Sequence, residues 1–119
     1  MVSRAEAGQD AVFAALASPL RRQLLDLLRA GERNAGELAA AFDVSRPAVS
    51  QHLAVLQHAD LVAERKSGRH RVYALRAAPL RSVGDWLGPY EDFWTERLDA
   101  LGRHLRGRHG DPAAEERGR

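Results

Sequence analysis

The sequence predicts a mostly α fold carrying one small β-hairpin, and three stretches make that prediction. Residues 34–59 read as two short helices joined by a tight turn, and residues 62–75 as a basic hairpin. Residues 79–106 repeat apolar side chains at steps of three and four. The chain has 119 residues, 45% hydrophobic and 29% charged, enough for one domain with a real hydrophobic core. Residues 1–8 read as frayed or weakly helical and are assigned to a flexible N-terminus, with 9–106 as the folded domain. Residues 107–119, polar and glycine-rich, are assigned to a disordered tail.

Asp10 to Ala17 reads as a short amphipathic helix presenting Val12, Phe13 and Leu16. Ser18-Pro19 is a cap followed by an N1 proline, so a second helix should run from Pro19 to about Ala30, with Gly31 as its stop. Leu20, Leu24, Leu27 and Leu28 share its inner face. Arg21 and Arg22 fall outside, as ordinary surface arginines or as phosphate contacts.

In the central pair, Asn34 stands three residues before Glu37, a reciprocal capping pair. The helix it opens carries Leu38, Ala39 and Phe42. It should end at Phe42-Asp43, because aspartate tolerates the left-handed conformation of a sharp turn. Ser45 then caps a second helix, spanning 45–59, with Arg46-Pro47 in its first turn. Val49, Leu53 and Leu56 fall on the inner face. Pro47, Ser50, Gln51, Ala54 and His58 fall on the outer one, with Arg46 at its flank. A short capped helix with a small polar outer face suits the major groove of double-stranded DNA. The plainer reading is a helical hairpin with a solvated face.

Val62 to Lys66 and Arg69 to Leu75 read as strands around Ser67-Gly68. Their tip, Arg65 to Arg71, is strongly basic. Directly after the helix pair it reads as a wing, set to touch the DNA backbone or minor groove. Standing alone, its charges would do no more than blunt an edge strand. The whole pattern is a winged helix-turn-helix.

From Pro79 onward Leu80, Val83, Leu87, Tyr90, Trp94, Leu98, Leu101 and Leu105 recur at helical spacing, with Trp86 and Phe93 alongside. That is more apolar surface than one small domain can cover. A seam between two copies is the first reading and packing on the chain's own core the second. Pro89 should kink or interrupt this helix.

Net charge is +2, too small to imply nucleic acid by itself, but its distribution is uneven. Leu61 to Arg76 holds five basic residues against one acid, whereas Tyr90 to Asp99 holds four acids against one arginine. One basic face and a separate surface with another task follow from this. Cysteine is absent, which removes disulfides, thiolate metal sites and cysteine redox sensing. No apolar run approaches a membrane span and no signal peptide precedes Phe13, so a soluble cytoplasmic protein is expected. Nothing suggests an enzyme. A glycine-rich phosphate loop and a cysteine nucleophile are both missing, and Ser50 and His52, two apart on a helix, do not face each other.

The run SRPAVSQHLAVLQHADLV, with Gly68-Arg69 and Tyr73-Ala74-Leu75 after it, resembles the ArsR/SmtB family of bacterial winged-helix repressors. The match extends over roughly Phe13 to Leu105. The resemblance implies a homodimer paired through its first and last helices, with Val12, Phe13, Leu16, Leu87, Tyr90, Trp94, Leu98 and Leu101 at the seam. It also implies binding to a palindromic operator and repression until an inducer releases it. Carried over by position, Ser45, Arg46, Pro47, Ser50, Gln51 and His52 would read DNA, and Arg65, Lys66, Arg69 and Arg71 would be wing contacts. His52 lies nearer the buried flank, where a structural role is equally open. Arg46 and Gln51 are expected to set sequence preference, and Arg69 overall affinity.

One departure matters. Where founding members of the family sense metals through cysteines, this chain has Glu37-Leu38-Ala39-Ala40-Ala41. A second family site uses Asp and His on the terminal helices, and only Asp85, His104 and His109 are candidates for it here. Neither metal nor cofactor is expected. The stretch from Trp86 to Leu101 is similar to a metal-independent branch, whose effector the residues do not reveal. A zinc-responsive repressor and a winged-helix module that binds protein are the alternatives.

Overall fold

A computed structural model describes residues 4–109 of the chain. The chain divides into two compact units, Met1–Val83 and Gly84–Arg119. The first unit holds α1 (Arg4–Leu16), α2 (Pro19–Ala30), β1 (Arg33–Asn34), α3 (Ala35–Phe42), α4 (Arg46–His58), β2 (Val62–Ser67) and β3 (His70–Leu75). A 3-10 turn, Ala78–Leu80, then leads into α5 (Arg81–His109), which continues through the second unit. The fold is the mostly helical winged helix-turn-helix that the sequence predicts.

Helix boundaries follow local chemistry. Ser18 caps α2 by accepting from the Arg21 backbone N–H at 3.3 Å. At the start of α3 the Asn34 side chain accepts from Glu37 N at 2.8 Å, and Glu37 accepts from Asn34 N at 3.1 Å. Ser45 opens α4 by accepting from Ala48 N at 3.2 Å. These bonds satisfy donors that a helix start leaves without partners.

Both helices of the pair close on left-handed aspartates, Asp43 at φ 52° and Asp60 at φ 58°. Past α4, Asp60 N donates to Gln57 O and Leu61 N to Leu56 O, both at 2.9 Å. That is a Schellman closure with its apolar contact, since Leu56 and Leu61 are both fully buried. The core gathers around them. Leu24, Leu38, Leu53, Val49 and Val12 keep no more than 2% of their surface exposed.

Three boundaries differ from expectation. Helix α1 begins at Arg4 rather than Asp10, because Ala5, Glu6 and Ala7 favour helix enough to carry Gly8. Of the two readings of residues 1–8, residues 4–8 take the helical one, and residues 1–3 lie outside the described ones. Helix α5 likewise passes residue 107 and ends at His109; the rest of the expected tail, 110–119, lies outside. The hairpin gains a third strand, β1, in the order β1-β3-β2, with Arg33 opposite Tyr73 and Asn34 opposite Val72.

In the second unit the helix assignment of α5 continues through Pro89, so the interruption that was one of the two expectations there does not occur. Pro89 removes the donor for the Asp85 carbonyl. Both residues are exposed. No helix among the described residues is long and apolar enough to cross a membrane.

Candidate nucleic-acid interface

Helix α4 buries Val49, Leu53 and Leu56 completely, which fixes its rotation about its own axis. Pro47, Ser50, Gln51, Ala54 and His58 are thereby exposed, as are Ser45 and Arg46 ahead of them. His52 departs from this set. It is half-buried, and its Nδ1 lies 3.2 Å from Arg21 Nη1. One position beyond Gln51, the helix has already turned toward its packed flank. That contact gives His52 a part in the packing of α4 against α2.

Arg21 is the centre of that contact. Its Nε donates to Ala15 O at 2.7 Å and its Nη2 to Ala14 O at 3.0 Å. Arg22 Nη1 donates to Leu16 O at 2.6 Å. The two arginines close the carbonyl end of α1, where positive charge is favoured. The sequence left them as surface arginines or phosphate contacts; Arg22 is at the surface and Arg21 half-buried, and both bond carbonyls of α1. Their targets lie on the preceding helix, and no local motif marks such a pair.

The wing turns on Gly68-Arg69, with Ser67 opposite His70. Gly68 has φ 61°, so the glycine takes the first central position of a II′-type turn, one residue later than the expected Ser67-Gly68. Arg65 is ion-paired with Glu32, and that hydrogen bond raises its pKa. Arg71 is ion-paired with Glu64. Glu64 also accepts from Gln57 Nε2 of α4 at 3.0 Å. The Gln57 bond above all, with help from Arg71, holds its carboxyl below the ordinary range, although burial opposes them. Burial and the neighbouring Glu64 charge push the Tyr73 hydroxyl up.

Arg46, Lys66 and Arg69 make no ion pair among the described residues. Arg46 and Ser50 of α4 meet Arg69 and Arg71 of the wing at the walls of one cleft of about 290 Å³.

Along α5 the apolar residues form a stripe. Trp86, Tyr90, Phe93, Trp94, Leu98 and Leu101 fall within roughly 140° of arc at 100° per residue. Each keeps about half or more of its surface exposed, from 47% at Tyr90 to 66% at Leu98. Trp86 and Tyr90 rings stack at a tilt, 5.0 Å between centroids, and the Arg97 guanidinium lies 4.4 Å from the Phe93 centroid. Leu87, on the same side, is half-buried, as are Phe13 and Leu16 on α1. Val12 corrects the expected seam. At 2% exposure it is core of its own chain and offers no surface to a partner.

The family model for "Bacterial regulatory protein, arsR family" matches residues 18–64, from the cap of α2 into β2. An HTH-type transcriptional regulator of Mycobacterium tuberculosis is 44% identical over 89 residues, covering 75% of this chain and 80% of the relative. The chain belongs to the arsR family. Transcriptional repressor SdpR of Bacillus subtilis is a further relative, 36% identical over 64% of this chain and 84% of its own length. Among solved structures, an ArsR-like transcriptional regulator from Rhodococcus sp. RHA1 superposes with a TM-score of 0.64. It is 34% identical and covers 82% of this chain and 92% of that one. These relatives are transcriptional regulators, and this arsR-family chain is a DNA-binding regulator of the same kind.

Among the described residues of this arsR-family chain, no three His, Cys, Asp or Glu side chains group closely enough to hold a metal ion. Asp85 and His104 lie about 28 Å apart along α5 at 1.5 Å per residue. The side chain of His109 lies outside the described ones.

Proposed function

We propose that this regulator is a cytoplasmic homodimeric repressor that reads a palindromic operator through the outer face of α4. The carrying observation is the rotation of α4, with three large side chains locked inward and Pro47, Ser50 and Gln51 left outward beside unpaired wing cations. Gln51 can hold an adenine edge through two hydrogen bonds, and Ser50 can serve either base type. Pro47 offers apolar contact to a thymine methyl. Lys66 and Arg69 would take backbone phosphates, while Arg65 and Arg71 each hold a glutamate through one guanidinium nitrogen and keep other N–H groups to offer. Relatives named as repressors, SdpR among them, support the sign of regulation.

The apolar stripe of α5 supports the homodimer. Two copies would present two α4 helices about 34 Å apart, one duplex turn, to two half-sites. Selection of genomic fragments on the purified protein, with and without zinc, tests this. The expected result is an enriched inverted repeat whose binding zinc does not alter. Failure to enrich any duplex at low salt contradicts it.

A further inference from the structure

We infer that the cleft between the first turn of α4 and the wing is a clamp for one phosphodiester of the DNA backbone, gripped by Arg46 and Arg69 together. This rests on the DNA-reading function proposed above, and it moves Arg46 out of the set of base readers.

Arg46 belongs to α4 and Arg69 to the wing turn, yet both line one cleft of about 290 Å³. No carboxylate lines that cleft, and neither guanidinium has an ion-pair partner among the described residues. Two unneutralised cations sharing a concave site favour an anion between them. Further donors surround the space. Asn34 spends its side-chain oxygen on Glu37 N, which leaves its amide N–H groups. The Ser50 hydroxyl is a second donor, and Arg71 engages Glu64 through Nη1, which leaves its remaining N–H groups. This donor-rich, carboxylate-free lining is what a tetrahedral oxyanion requires.

The path of Arg46 supports the reassignment. Its guanidinium carbon lies 3.9 Å from where a Cβ on Gly36 would stand, so the side chain folds back across the start of α3. It is directed into the cleft rather than along the outer face of α4. Free phosphate and a phosphodiester share the required chemistry. A nucleotide base has no platform here, since Tyr73, the one Tyr, Phe or Trp at the walls, is only 7% exposed. A phosphodiester held from α4 and the wing at once would fix the depth and register of α4 in the groove.

The test uses an operator recovered by selection and a series of duplexes, each with one phosphate replaced by a neutral methylphosphonate. Binding is measured for the wild type, Arg46→Ala and Arg69→Ala. One methylphosphonate should weaken the wild type about tenfold, and that same position should have a clearly smaller effect on each variant, where one of the two arginines is gone. Sensitivity lost at two different phosphates overturns the shared clamp. So does an Arg46→Ala variant that stays sensitive to every phosphate while losing discrimination at one base pair. Titrating the DNA-free protein with inorganic phosphate separates the sources. Millimolar phosphate that saturates the cleft and leaves all three proteins equally sensitive on DNA makes free phosphate the ligand and overturns the proposal. A wild type that binds no duplex instead defeats the DNA-reading function itself.

Discussion

Arg21 joins three parts of the first unit through one planar group, since its donors reach two carbonyls of α1 and a ring nitrogen of α4 while its own backbone lies in α2. A charged donor on a helix carbonyl end contributes more than a neutral hydrogen bond. Arg21→Met should therefore lower unfolding stability by about 2 kcal/mol in urea titrations. The salt dependence of DNA binding separates this role from phosphate contact. If Arg21 acts inside the protein, the slope of log K against log salt stays at its wild-type value; a slope smaller by about one would mean that it touches a phosphate.

At the scale of elements, Glu64 ties the wing to α4 by accepting from Gln57 and pairing with Arg71. Its pKa is lowered in the fold, so the folded state holds the Glu64 proton less tightly than the unfolded chain. The stabilisation is thus full above the ordinary carboxylate range and disappears as pH falls through that range and past the lower folded value. Wild type should lose stability relative to Glu64→Gln on acidification from pH 7, read as urea midpoints. Parallel curves for the two proteins would show that the tie contributes nothing.

The same scale shows what was legible in the sequence. The limits of α2, α3 and α4 were, because Ser18, Asn34 with Glu37, Ser45 and Asp43 each act within a few residues of themselves. The inward set of α4 followed from spacing alone. Strand β1 was not legible, since two residues are too short to alternate. Nor were the Arg21 bonds or the Arg46–Arg69 cleft, which depend on segments brought together only by folding. The wing turn was placed one residue early, because the order of positive and negative φ, not the presence of glycine, sets the turn. An interruption at Pro89 was one of the two outcomes expected there, and it does not occur because a long helix can carry one missing hydrogen bond at an exposed position.

For the whole molecule the decisive feature is the half-exposed stripe on α5, a liability for a lone chain and a reason to pair. If the proposed homodimer pairs through this stripe, Leu98→Glu should leave the first unit folded, yield a monomer in sedimentation, and weaken binding to an inverted repeat by at least about 100-fold. Affinity for a single half-site should hardly change. A variant that stays dimeric would move the seam elsewhere.

The central claim, that the outer face of α4 reads DNA sequence, is tested most directly by Gln51→Ala. Its binding to the selected operator and to a random duplex of equal length would be measured beside the wild type at one salt concentration. The wild type should prefer the operator by about 10³-fold or more. The variant should lose about tenfold or more on the operator and nothing on the random duplex. Equal losses on both duplexes would contradict the claim and leave α4 as a support for contacts made elsewhere.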